Sequence, residues 1–198
     1  MNDETEAPAR GRGRPRNEEK DIAIAEATWR ILAEKGYEGL TFEGVAELAG
    51  CSRSTLYRRF ANKAELVEAI LGQTSRRVEP RTDDTMSPRD VLIAHANALC
   101  TYMAGPRGPA TLMMSVSSEH HPDLAAALAR HGRNEQTYFL REFDRARPGT
   151  PEQVRDFAFN TLIGTIISHV AVLRATLTER QIIRLVDGAL SLLEMEPG

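Results

Sequence analysis

The chain lacks the features of disulfide-stabilised, membrane-spanning and secreted proteins. Its 198 residues include only two cysteines, Cys51 and Cys100, too few for a disulfide framework or a zinc site. No run of the sequence approaches the roughly 18 consecutive apolar residues that a membrane span needs. The N-terminal residues contain no apolar core of a signal peptide. These absences favour a cytoplasmic protein with reduced thiols and no membrane partner.

Motifs of catalysis and of cofactor binding are missing too. The sequence contains no phosphate-binding glycine loop, no nucleophile elbow and no paired carboxylates in a recognisable motif. His120, His121 and Asp123 lie close together, but adjacent histidines point in different directions and no ligand follows His121 four residues later. We therefore predict a solvated loop at this place, no metal site, no cofactor and no enzymatic activity.

Apolar residues recur at intervals of three and four along most of the chain, which predicts an all-α fold. Glycine and proline divide this pattern into the expected helices, at residues 18–35, 42–49, 53–60, 63–78, 88–104, 108–118, 122–146, 151–175 and 179–195. The segment from Pro80 to Pro88 has the composition of a loop. We place a three-helix unit with its connecting helix at residues 18–79 and a C-terminal helical domain at residues 88–198.

The segment 41–63 has the sequence form of a helix-turn-helix. Thr41 and Ser52 are suited to cap two short helices, and Gly50 is suited to make the turn between them. The outer face of the second helix is basic and rich in hydroxyl groups, and no acidic residue occurs between positions 53 and 64. Such a face suits phosphate contacts and the readout of base edges in the DNA major groove. The alternative is a polar face that contacts only water.

Residues 18–70 resemble the DNA-binding domain of the TetR family of bacterial repressors. The resemblance is carried by Thr41, Val45, Ala46, Ala49, Gly50, Cys51, Ser52, Thr55, Leu56, Tyr57, Phe60, Lys63, Glu65 and Leu66. It implies a set of residues that face DNA, Arg53, Thr55, Tyr57, Arg58 and Arg59, and two that hold phosphates, Thr41 and Lys63. Ser52 and Ser54 complete the expected DNA-binding set, although Ser54 replaces a frequent glycine and Cys51 a small aliphatic residue.

A basic arm precedes this unit, and the net charge of −3 conceals it. Residues 10–63 hold 11 Lys and Arg against 8 Asp and Glu, whereas residues 64–198 hold 14 against 17. Arginines alternate with glycine and proline at positions 10–16, similar to the core of an AT-hook. We expect residues 1–17 to be a disordered arm in which Arg12 and Arg14 contact the minor groove. The alternative is a flexible charged tail.

The helix expected at residues 151–175 is apolar on more than one face, and the last helix is also rich in apolar residues. A helix that needs two burial partners often packs on its own core with one side and on a second subunit with the other. The resemblance implies that these two helices form the interface of a two-fold dimer. We assign to this interface Phe159, Ile163, Ile167, Val170, Ile183, Val186 and Leu190. The alternative is a single monomeric core.

Methionine and aromatic residues concentrate in the middle helices, where they form a pliable lining or simply a core. By the resemblance, a mostly apolar cavity is expected there. We assign to ligand binding Met103, Met113, Phe139, Phe143, Phe157 and Thr161. The sequence thus predicts a dimeric regulator that binds double-stranded DNA, a repressor released from a palindromic operator by a small hydrophobic effector. The alternative is a ligand-independent activator or an architectural protein.

Overall fold

The computed structural model describes residues 18–83 and 85–194, and in these ranges the chain forms α-helices and no β-strand. The helices are α1 Glu18–Lys35, α2 Phe42–Leu48, α3 Arg53–Tyr57, α4 Lys63–Val78, α5 Pro88–Ala104, α6 Gly108–Ser117, α7 Pro122–Ala146, α8 Glu152–Ile166 and α9 Glu179–Leu192. A 3₁₀ turn at Ser118–His120 joins α6 to α7, and a π-helical turn at Ile167–Val172 follows α8. The predicted all-α fold is confirmed.

Local sequence signals set many of the helix boundaries. The side chains of Thr41, Ser52 and Asn62 each accept a hydrogen bond from the backbone N–H three residues later, and so begin α2, α3 and α4. Thr178 and Gln181 form a reciprocal capping box at the start of α9. These boundaries can be predicted from the sequence because each capping side chain bonds to the backbone only three residues away.

Three helices end at least three residues earlier than predicted, among them α9, which ends at Leu192 instead of residue 195. The third helix stops at Tyr57 instead of residue 60, and the chain turns so that the Phe60 side chain packs on the apolar core. The helix predicted to reach residue 175 leaves α-helical geometry after Ile166. The Leu173 N–H then bonds to the Ser168 carbonyl at 2.9 Å, a five-residue spacing that widens the helix before it ends.

The first four helices form a head around one apolar core. Leu32, Val45, Leu56 and Leu66 are almost fully buried in it, one from each of α1 to α4. Trp29 of α1 belongs to the same core, since only 4% of it is exposed. Three residues of later helices complete this core, Ala110, Met114 and Leu124. The head therefore packs directly on α6 and on the start of α7.

Polar side chains cross the same boundary. Arg130 of α7 makes a two-pronged ion pair with Glu68 of α4, at 2.6 and 3.1 Å. Arg107, at the start of α6, lies 2.5 Å from the carboxylate of Glu26 in α1. His121 pairs with Glu38. Exposed pairs of this kind add little stability, but several together fix one orientation of the head.

Helices α5, α7, α8 and α9 form the body, which has a core of its own. Leu92, Phe143, Leu162 and Val186 are almost completely buried there, one from each helix. Arg89 on α5 pairs through two hydrogen bonds with Asp187 on α9. In the part of the chain that the structure describes, no helix has both the length and the apolarity required to cross a membrane.

Candidate nucleic-acid interface and ligand cavity

The turn between α2 and α3 brings the two helices together at a fixed angle. Gly50 adopts a left-handed backbone with φ of +63°, a conformation that costs glycine little. The Cys51 N–H then donates to the carbonyl of Ala46 at 3.0 Å and closes the turn. Leu56 anchors α3 on the core with no exposed surface. The opposite face of α3 consequently points to solvent.

Tyr57 and Arg58 are two large side chains on this outer face. Tyr57 is 58% exposed, and its ring packs edge-on against Phe42 with centroids 4.9 Å apart. Arg58 is exposed, and no ion pair to it occurs in residues 18–83 and 85–194. The Tyr57 ring is fixed by its packing, and the neighbouring Arg58 guanidinium has no ion pair among the described residues. Both side chains therefore suit contact with base edges and phosphates.

Hydroxyl groups order the first turn of α3. The Ser52 oxygen accepts from the Thr55 N–H at 3.3 Å and lies 2.9 Å from the hydroxyl oxygens of both Ser54 and Thr55. Thr41 caps α2 in the same way, since its hydroxyl oxygen accepts a hydrogen bond of 3.1 Å from the Gly44 N–H. These hydroxyls stand at the surface of the head and also hold its two helix starts in place.

The structure does not place Arg59 and Lys63 on the outer face of α3. The Arg59 guanidinium lies 2.7 Å from the carboxylate of Asp21 on α1, because α3 ends at Tyr57 and the chain has already turned. The Lys63 ammonium donates to the Tyr37 carbonyl at 3.1 Å and sits 4.2 Å from the centre of its ring. Both cations are therefore paired with other groups of the head, Arg59 at its surface and Lys63 half-buried. Arg12 and Arg14 lie outside the described residues.

Glu43 is a member of this surface that the sequence interpretation missed. Its carboxylate lies 3.6 Å from the Arg53 guanidinium and accepts a 3.5 Å hydrogen bond from the Tyr57 hydroxyl. Positions 53–64 contain no acidic residue, but Glu43 comes from the start of α2. The turn at Gly50 brings this part of α2 alongside α3. The position of Glu43 two residues after the Thr41 cap was the available signal.

A cavity of about 650 Å³ lies between α4, α5, α6, α7 and α8. Of the residues assigned to ligand binding, Met103 and Phe139 line this cavity. The other four residues assigned to the ligand do not. Phe143 is fully buried in the body core, Met113 and Phe157 point outward with more than half their surface exposed, and Thr161 lies on the outer side of α8.

The faces of α8 are the reverse of those predicted. Phe159, Ile163 and Ile167, assigned to the dimer interface, line the cavity instead. Val170 and Val186, also assigned to the interface, are buried in the body core. Both sides of α8 carry apolar residues, so the periodicity alone could not decide which side faces the cavity. The predicted interface residues Ile183 and Leu190 on α9 are half-buried, and Leu190 packs against the same core.

The outer surface of α8 and α9 is built from small and polar residues. It carries a shallow groove of about 410 Å³ that is lined by Asn160, Thr161, Gly164, Thr165, Ser168, His169 and Leu173. Gly188 of α9 is exposed as well. A Cβ atom added at Gly164 or at Gly188 would meet no other atom within 4 Å. This surface allows close approach of another helix.

Two histidines, His95 and His131, line the cavity. Burial lowers the pKa of both. The His95 ring stacks on Tyr138 at a centroid distance of 5.7 Å. The Tyr102 hydroxyl, 2.6 Å from that of Thr111, gives the cavity a further polar group, and burial raises the pKa of this phenol. The lining therefore combines aromatic and apolar side chains with several polar groups.

One wall of the cavity touches the core of the head. Thr74 of α4 lines the cavity, and its hydroxyl accepts a hydrogen bond of 3.2 Å from the indole N–H of Trp29 on α1. The same hydroxyl donates to the Ile70 carbonyl at 2.8 Å. The cavity and the DNA-facing head thus share a buried polar contact. At the far side of the head, His121 packs edge-on against Tyr37, so it is not the solvated loop residue predicted.

Comparison with known proteins agrees with this architecture. Residues 24–70 match the family model described as bacterial regulatory proteins, tetR family. The HTH-type transcriptional regulator YdeS of Bacillus subtilis is 34% identical over 98 residues, which make up 49% of this chain and 48% of that protein. A DNA-binding transcriptional repressor TetR of Mycobacteroides abscessus is 32% identical over 118 residues, 59% of this chain and 61% of that one. The chain thus spans about half to three fifths of these relatives.

Solved structures extend the likeness of the fold to the body. A TetR regulator of Agrobacterium tumefaciens, 19% identical, superposes with a TM-score of 0.64 over 87% of this chain and 93% of its own. A TetR-family regulator of Marinobacter aquaeolei, 18% identical, gives 0.62 over 89% and 96%. Residues 24–70 thus carry a helix-turn-helix DNA-binding domain of the bacterial tetR-family type. Beyond that domain, the fold of the chain is similar to that of solved TetR-family regulators.

Proposed function

We propose that this regulator is a dimeric repressor that binds a palindromic operator and leaves it when a small hydrophobic effector enters the body. The observation that carries the proposal is the exposed outer face of α3, on a head that shares its core with the cavity-bearing part of the chain. The cavity favours this function over that of a ligand-independent activator or an architectural protein.

The geometry of the head suggests a role for each group. Tyr57, Arg58 and Ser54 stand furthest out on α3 and are assigned to base edges and adjacent phosphates. Arg53 and Thr41 flank them and are assigned to phosphates. Ser52 and Thr55 set the first turn of α3, and Arg12 and Arg14 are assigned to the minor groove. Arg59 and Lys63 act through Asp21 and Tyr37, by holding the head in shape.

Dimerisation is assigned to the small-residue surface of α8 and α9. Gly164 and Gly188 leave space for a second pair of helices, and Phe157 adds exposed apolar surface at the edge. A two-fold axis through this surface would present two heads to two half-sites about a helical turn or a multiple of it apart. Because the two heads make the same contacts with the two half-sites, the dimer prefers an inverted repeat.

Control by the effector requires that it bind one arrangement of the heads more tightly than the other. Helix α4 carries both the cavity wall and the head, and Thr74 joins the two through Trp29. The ion pair between Arg130 and Glu68 ties α4 to α7, which forms the opposite wall. An effector that separates α4 from α7 would rotate the head and change the spacing of the two α3 helices.

Repression is supported by the names of two relatives. The relative from Mycobacteroides abscessus is named a DNA-binding transcriptional repressor. KstR of Mycolicibacterium smegmatis, named an HTH-type transcriptional repressor, is 37% identical over 65 residues, 33% of this chain and 32% of that protein. The family model covers residues 24–70, which lie in the head, so repression by operator binding is the function that we carry over.

We expect the protein to bind the DNA upstream of its own gene about 10³-fold or more tightly than random DNA of equal length. Both affinities should fall steeply with salt, because phosphate contacts release counterions in both complexes. Fluorescence anisotropy over a series of salt concentrations measures both constants. Equal affinities for the two DNAs at every salt concentration would contradict the proposal of operator binding.

Glu43 gives a prediction about selectivity. Replacing it by glutamine removes a negative charge from the DNA-facing surface and frees Arg53 from its partner. We expect Glu43→Gln to raise the affinity for random DNA by about 3- to 10-fold per dimer, since each added phosphate contact strengthens non-specific binding. Anisotropy titrations with a random duplex at fixed salt test this expectation.

The matched control for this substitution is Glu47→Gln. Glu47 lies on the same helix and is exposed, and the structure gives it no ion pair among the residues it describes. Both variants change the net charge by the same amount, so a general charge effect would move them equally. An unchanged or lower affinity of Glu43→Gln for random DNA would show that Glu43 does not oppose phosphate binding.

A further inference from the structure

We propose that the cavity binds lipophilic organic cations and that the Glu135 carboxylate is their counter-charge. The inference rests on the proposed function, since it names the chemical class of the effector. It is carried by the distribution of charge around the cavity, by the aromatic character of its walls and by its size. Each of these is a property of the residues that line it.

Charge inside the cavity is of one sign. Arg76 and Glu79 line the mouth, where both are exposed and their charges offset each other. Glu135 is the half-buried acid of the lining, and no half-buried lysine or arginine lines the cavity with it. Within residues 18–83 and 85–194, no ion pair to Glu135 occurs. A half-buried carboxylate without a cation gains from a ligand that supplies one.

The neighbouring histidines do not supply that cation near neutral pH. His131 lies one helical turn before Glu135 on α7, and His95 on α5 lines the same cavity. Burial lowers the pKa of both imidazoles, so both are neutral at pH 7 and above. They remain available as hydrogen-bond partners, and the negative charge of Glu135 is left for the ligand.

Aromatic rings surround the same space. Tyr102, Tyr138, Phe139 and Phe159 all line the cavity, and Phe139 and Phe159 meet edge to face with centroids 5.5 Å apart. Ring faces carry negative potential and attract organic cations, most strongly where water is excluded. An anion would meet this potential and the charge of Glu135 together. The walls therefore favour a cation that also has apolar surface to bury.

The volume suits a drug-sized molecule, because ligand pockets of this kind span about 300–1,000 Å³ and this cavity has about 650 Å³. A metal ion or a simple ammonium ion would leave most of the apolar lining without a partner. The expected ligand therefore combines one permanent or protonated positive charge with one or more aromatic or alkyl groups.

Tetraphenylphosphonium and tetraphenylborate test the inference directly, because they have nearly the same shape and opposite charge. We expect wild-type protein to bind the phosphonium at least about tenfold more tightly than the borate, since ion pairing and cation–π contact both favour it. Equilibrium dialysis measures both constants. Trp29, the single tryptophan of the chain, touches the cavity wall through Thr74 and supplies an independent fluorescence signal.

The variant Glu135→Gln keeps the shape of the side chain and removes its charge. It should weaken phosphonium binding by about tenfold and leave borate binding unchanged or tighter. Glu119→Gln, an exposed acid on the 3₁₀ turn outside the cavity, should change neither constant. Tighter binding of the borate, equal binding of the two ions, binding of neither, or an unchanged phosphonium constant in Glu135→Gln would each overturn the inference.

The same titrations separate this inference from the proposed function. Operator DNA is added to wild-type protein with and without saturating phosphonium. If the phosphonium binds through Glu135 but the DNA complex persists, the ligand class stands and effector control by this cation fails. If the protein releases DNA with another molecule but does not bind the phosphonium, effector control stands and the ligand class is overturned.

Discussion

Replacing Arg58 by alanine is expected to lower the affinity of the dimer for its operator by about 100-fold or more. A two-pronged arginine contact with a base contributes about 1–3 kcal/mol, and a dimer loses two such contacts at once. The free energy of unfolding should change little, because the Arg58 side chain is exposed and has no ion pair within the described residues. Anisotropy with operator DNA and urea denaturation measure the two quantities.

Arg58→Lys distinguishes base recognition from attraction to phosphates. Lysine keeps the positive charge but cannot make the two-pronged contact, so it should preserve the salt dependence and lose the preference for operator over random DNA. Arg133→Ala, at an exposed arginine of α7 in the body, is the control and should leave both affinities unchanged. An operator constant of wild-type strength in Arg58→Ala would remove Arg58 from the proposed interface.

Introducing a glutamate at Gly164 is expected to convert the dimer to a monomer and to weaken operator binding on the order of 10³-fold, because one head then binds without the other. Across a two-fold axis the two new carboxylates would face each other and would keep the α8 helices apart. The protomer itself should fold normally, since a Cβ atom at this position meets nothing within 4 Å. Glutamate also favours a helix more than glycine does.

Gly132→Glu is the matched control for this experiment. Gly132 is an exposed helical glycine on α7, and a Cβ atom added there also meets nothing within 4 Å. Sedimentation velocity over a range of protein concentrations should show a monomer for Gly164→Glu and a dimer for Gly132→Glu and for wild type. If Gly164→Glu sediments as a dimer, the outer surface of α8 is not the interface.

The head could be predicted from the sequence largely because its signals are local. The caps Thr41 and Ser52 bond to backbone groups three residues away. At position 50 the turn requires a positive φ, and the residue there is a glycine. Where the prediction fell short, a distant partner decided the outcome. Asp21 on α1 draws in Arg59, and Glu43 on α2 reaches Tyr57 across the turn.

The body was harder to predict because its helices have more than one apolar face. Periodicity indicates that α8 buries Phe159 and Ile163, but it does not indicate whether they face a cavity or a second subunit. The small residues at Gly164 and Ser168 on the other side carried the information about helix approach. Polar residues of the cavity, among them His95 and Glu135, come from separate helices and share no sequence motif.

The completion of the head core by Ala110, Met114 and Leu124 limits how this regulator can be recombined. A chimera that joins its reading head to another sensor at the loop after α4 would leave behind three side chains that fill the head. An exchange of DNA specificity between relatives therefore has to carry α6 and the first turn of α7 along with the head, or to graft the outer residues of α3 alone. The segment that has to be exchanged to transfer DNA specificity is therefore larger than the helix-turn-helix motif.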